Sequence, residues 1–182
     1  MLKKQFRNMT QNSFSRYAKN ILLLSIIYFL FSCASHKKVN NLASQLNCNK
    51  TIHFVFDNES KFVKIEYKGD HSGNSEYPDY KRTFRESVEE LDKESPAKIE
   101  YKDALGFPSD SIIQVTVRIE KIVWDFGFSS ALMETELVYK LPDRNINIVG
   151  NNKVHIAGTK KGNLFKSLKH GNYMFLSIIC DE

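Results

Sequence analysis

The chain lacks the residue sets that chemistry most often needs. Its five histidines (His36, His53, His71, His155, His170) stand singly, with no His-x-x-x-His and no closely spaced cysteine pair, so no metal site can be read from spacing. There is no Gly-x-Ser-x-Gly elbow, no Gly-x-Gly-x-x-Gly and no P-loop, which removes the commonest hydrolase, dinucleotide and nucleotide signatures. Glu86, Glu89 and Glu90 are crowded, but on an amphipathic helix such carboxylates serve as a solvated face. No catalytic residue, metal or cofactor is expected. No internal repeat or low-complexity tract occurs, and no apolar run is long enough to cross a bilayer. The longest, Ile21–Phe31, would span about 16 Å as a helix against about 30 Å of hydrocarbon.

Charge is also missing where it first seems abundant. The sequence pI near 9.0 and net charge of +5 come entirely from the first 32 residues, where Lys3, Lys4, Arg7, Arg16 and Lys19 meet no acidic residue. From Cys33 onward 21 basic side chains face 21 acidic ones, so a nucleic-acid partner loses the phosphate neutralisation that supplies its affinity.

What is present begins with the layout of a secretory signal peptide: a basic leader, an apolar core and a small residue. The end of the run, Leu30-Phe31-Ser32-Cys33, resembles the lipobox of bacterial lipoproteins, in which a signal peptidase cuts before the cysteine that carries the lipid. The resemblance implies a signal peptide over 1–32, peptidase recognition through Leu30, Phe31 and Ser32, and lipid attachment at Cys33. The mature chain of 150 residues then suits one domain. A lipidated N-terminus and polar spacer are expected over 33–46, and a single domain over 47–182. Cys48 and Cys180 remain as an even pair in an oxidising compartment, and either a bridge or two buried thiols is consistent with sequence alone.

Alternation predicts strands over Thr51–Asp57 and Lys61–Tyr67, joined as a hairpin through Asp57–Ser60. Tyr80, Phe84, Val88 and Leu91 recur at helical spacing behind a capping Asp79, and Ser95-Pro96 ends that helix. Ala97–Tyr101 reads as an edge strand. Ser111–Trp124 and Ser130–Leu141 read as a long antiparallel hairpin, with a bulge past Lys121. Two short strands, Ile146–Val149 and Val154–Ala157, flank Gly150-Asn151-Asn152. A last helix from Gly162 to Cys180 is interrupted at Gly171-Asn172, and Lys160, Lys161, Lys166, Lys169 and His170 are expected on its solvated side. The sum is an α+β fold, an antiparallel sheet with two amphipathic helices on one face.

That element order looks like the small periplasm-facing lipoproteins that assist envelope machines, such as the lipopolysaccharide-assembly lipoprotein and auxiliary lipoproteins of ABC-type lipid transporters. The likeness implies a non-catalytic binding or scaffolding module with a membrane and an envelope protein as partners, outer membrane facing periplasm. An envelope hydrolase without a motif and a small-ligand sensor are the rival readings. Trp124, Phe126 and Phe128 crowd the turn Asp125–Ser129, where polar residues are usual. They are expected to form a partner surface or, alternatively, to fold under the turn as core.

Overall fold

The computed structural model describes residues 43–68, 78–127, 130–154 and 158–181, all within one compact unit, Val39–Glu182. The elements are β1 (Thr51–Phe56), a 3-10 helix (Asn58–Phe62), β2 (Ile65–Lys68), α1 (Tyr80–Glu94), β3 (Ile99–Lys102), β4 (Ile112–Phe126), β5 (Ala131–Lys140), β6 (Asn145–Val154) and α2 (Lys160–Cys180). The fold is α+β, and its six-stranded sheet is mixed.

The antiparallel expectation holds only for the β4-β5-β6 meander; β1 runs parallel to both β3 and β4. The expected first hairpin does not form. Asp57 accepts from Glu59 N–H and starts a 3-10 turn, which steps the chain outward and sets it down again as β2, parallel to β4 at Ile122–Asp125. β1 and β2 thus lie in line along one side of β4. Between them the Ser60 hydroxyl, fully buried, accepts from Ile119 N–H at 2.9 Å. It satisfies a donor that would otherwise be left unpaired in the core. The register of β4 against β5 shifts between Ile119 and Lys121, just before the expected position of the bulge.

One face of the sheet is apolar and both helices pack on it: the Phe54 ring meets Phe84 of α1 at 6.2 Å and Phe175 of α2 at 5.7 Å. Tyr80, Phe84, Val88 and Leu91 of α1 are all buried. Each such side chain contributes about 1.5–3 kcal/mol when fully buried. Asp79 caps α1 by accepting from Arg82 N–H, and Thr159 caps α2 by accepting from Gly162 N–H.

The interruptions expected at Gly150 and Gly171 are absent, because the two glycines serve a contact instead. β6 and α2 both run through unbroken. A Cβ on Gly150 would come within 2.2 Å of Ser167 O and 3.1 Å of Gly171 N, so the helix crosses the strand backbone to backbone. Beside the crossing, Thr135 and Ser167 share a buried hydrogen bond of 3.0 Å. Asn172 accepts from Tyr139 O–H at 2.9 Å and donates to Ser87 Oγ at 3.1 Å, joining sheet, α2 and α1 in one chain of bonds.

Two of the lysines expected in solvent are buried. Lys160 donates to Tyr67 O–H at 2.9 Å and lies over that ring, and Lys169 pairs with Glu94 at 2.6 Å. Periodicity could not show this, because both partners come from elements distant in sequence. Ala43 and Leu46, expected in the spacer, are core residues.

Candidate functional site

The start of β1 gathers several features at one end of the domain. Cys48 is joined to Cys180 in a disulfide, with the Cα atoms 4.6 Å apart, so the beginning of the described chain is clasped to the end of α2. Beside the bridge opens a cleft of about 460 Å³, floored by Ile52, Ile113, Leu141 and Ile179 and rimmed by Lys50 and Arg144. An apolar floor under a few polar groups is the common form of a small-ligand or peptide site.

The connection from β3 to β4 reaches the same end. Thr51 N–H donates to Ser111 O at 3.0 Å, which fixes the last residue of the connection against the first of β1. Gln114 alternates with Ile113 and Val115, so its side chain lies on the face away from the helices. Its amide clamps the connection three times: it accepts from Gly106 N–H at 2.6 Å and donates to Gly106 O at 3.2 Å and to Phe107 O at 3.0 Å. The clamped backbone holds Leu105 and Phe107 outward, 59% and 95% exposed. In the sequence, the signal available was the apolar pair in Leu105-Gly106-Phe107-Pro108 between polar flanks.

On the same face, charges are paired. His53 lies 3.4 Å from Glu100, and burial holds its imidazole below the usual histidine value against the pull of that carboxylate. Glu100 is held low chiefly by the hydrogen bond from Lys102. Burial alone would raise Asp57, but the Glu59 N–H and the Lys140 ammonium outweigh it and hold the carboxyl low. Among the described residues no group of three His, Cys, Asp or Glu side chains could hold a metal ion.

The residues singled out from sequence are placed differently. Leu30, Phe31, Ser32 and Cys33 lie outside the described residues, as does Phe128. Trp124 is 1% exposed, paired with Met133 across the β4-β5 ladder, and Phe126 is half-buried and stacked on it at 5.6 Å. Trp124 and Met133 fall on the helix-facing side of their strands, so the indole is core, as the second of the two readings of this turn has it. Its Nε1 is buried with no hydrogen-bond partner among the described residues.

No protein-family model and no curated protein matches the chain. One solved structure, described as "Crystal structure of uncharacterized protein", is similar over 75% of this chain and 94% of that chain, at 12% identity and a TM-score of 0.39.

Proposed function

We propose that the protein is a lipid-anchored, non-catalytic binding or scaffolding module of a bacterial envelope, held in the outer membrane by Cys33 and facing the periplasm. The observation that carries this reading is the run Ile21–Phe31 closing on Leu30-Phe31-Ser32-Cys33 behind a purely basic leader. Among the described residues no helix is long and apolar enough to cross a membrane. The binding site of this reading is the cleft beside the disulfide, in place of the aromatic turn. The size of that cleft favours a second reading, a module that binds a small, partly apolar ligand.

Palmitate labelling tests the anchor. Cys33→Ala should abolish the label and leave the precursor uncut; unchanged labelling rejects the anchor. Capture from detergent-solubilised membranes through a C-terminal tag tests the role. A stoichiometric protein partner lost on Arg144→Glu supports scaffolding, whereas an extractable small molecule lost by the same variant supports the ligand reading.

A further inference from the structure

We propose that Leu105 and Phe107 form a wedge that enters the bilayer to which the protein is tethered, so that the domain rests on the membrane by its β1-start end. The inference rests on the lipid anchor at Cys33 and adds to it an orientation and a second contact.

Chain length supplies the first argument. Ala43, the first described residue, is ten residues past Cys33, and ten extended residues reach about 35 Å at most. Ala43 and Leu46 are packed in the core, Cys48 is bonded to Cys180, and Thr51 is bonded to Ser111. Leu46 N–H donates to Ala43 O, so Ala43 lies close to the bridged end at which the clamped connection sits, and a lipid at Cys33 keeps that end within about 35 Å of the bilayer.

The shape of the feature supplies the second. A stable protein interface buries about 800 Å² per partner around anchors seated in pockets. Here two apolar side chains protrude from polar neighbours, with Lys102, Asp103, Ser109 and Asp110 all exposed around them. That is too small and too convex for an ordinary protein interface. It fits a short insertion at headgroup depth, where aromatic and aliphatic side chains of surface-bound proteins settle. The three bonds from Gln114 hold the wedge ready, so insertion orders little that is not already ordered.

The test uses the full lipidated protein carrying Phe107→Trp, reconstituted into phosphatidylethanolamine and phosphatidylglycerol vesicles with and without bromine on the acyl chains. The parent, whose Trp124 is buried, serves as background. The expected result is flotation with the vesicles, blue-shifted emission from the introduced indole, loss of that emission with brominated lipid, and protection from iodide. A protein that floats but whose indole is quenched by iodide and not by bromine retains its anchor and overturns the wedge. Protection from both quenchers on floating protein assigns the loop to a second copy of the chain and also overturns it. Failure to float refutes the anchor, and the wedge with it. Because Phe107 touches almost nothing, the variant should fold; a circular dichroism melt matching the parent establishes that before the vesicles are used.

Discussion

Replacing Gly150 by alanine should be among the most damaging single-methyl additions this domain can suffer. The new Cβ would meet Ser167 O at 2.2 Å, Thr135 Oγ1 at 2.8 Å and Gly171 N at 3.1 Å. Two of these are backbone atoms of α2, so no rotamer change relieves the contact, and the helix must lift from β6 by about 1 Å to restore ordinary van der Waals distances. Overpacking of this kind costs about 1–3 kcal/mol. Lifting α2 also lengthens the Thr135–Ser167 and Tyr139–Asn172 hydrogen bonds, each worth about 1 kcal/mol. A total of about 3–5 kcal/mol corresponds to a fall of roughly 6–20 °C in the melting temperature of a domain this size. Gly171→Ala should cost less, because its Cβ meets the movable Leu137 Cδ1 at 2.5 Å and alanine favours the helix by about 1 kcal/mol. Gly106→Ala, whose nearest neighbour is 3.8 Å away, is the control. Thermal melts of the three oxidised variants give the ranking. A fall under about 2 °C for Gly150→Ala would show that α2 does not sit against β6 as described.

Further outcomes follow from the clasp and the buried charges. Reducing Cys48–Cys180, separated by 132 residues, should lower stability by up to about 5 kcal/mol in the chain-entropy view; two titratable thiols in the unfolded, unreduced protein would rule the bridge out. Lys169→Met should cost about 3–5 kcal/mol because it strands Glu94, and adding Glu94→Leu should recover most of it; equal melting of single and double variants would deny the coupling. His53 and His170 are both held below 6.5 by burial, and His170 Nδ1 accepts from Asn151 N–H. Their stability contribution is therefore full above 6.5 and is lost as pH falls through the folded values. Urea midpoints should drop from pH 7 to pH 5, and less steeply in His170→Gln; identical slopes would contradict the assignment.

The sequence carried those parts of the fold whose pattern repeats locally. Ala131, Met133, Thr135, Leu137 and Tyr139 all face the core as their alternation requires, and Asp79 and Ser95 bound α1 where capping and the following proline place them. Strand direction was not legible, because alternation states which face a residue occupies and nothing about its partner. Asp57–Ser60 suits a hairpin turn and a 3-10 turn equally, and only the distant Ile119 N–H, waiting for the Ser60 hydroxyl, decides between them. Gly150 and Gly171 read as breaks because the element that needs each of them empty, α2 for Gly150 and the strands β5 and β6 for Gly171, is supplied from elsewhere in the chain. The site was harder still. The aromatic turn stood out by composition but faces inward at Trp124, whereas the exposed Leu105-Gly106-Phe107 segment depends on Gln114, seven residues on, for its form.

The clasp between Cys48 and Cys180 also sets how the domain bears load. Tension applied between the stretch before Cys48 and the last residues passes through one covalent bond and bypasses the intervening strands and helices. A pull between those two points would stretch the short flanking segments while the strands of the sheet stayed slack. Mechanical failure under such a pull then requires chemistry, the reduction of the bridge, before any hydrogen bond of the sheet carries force.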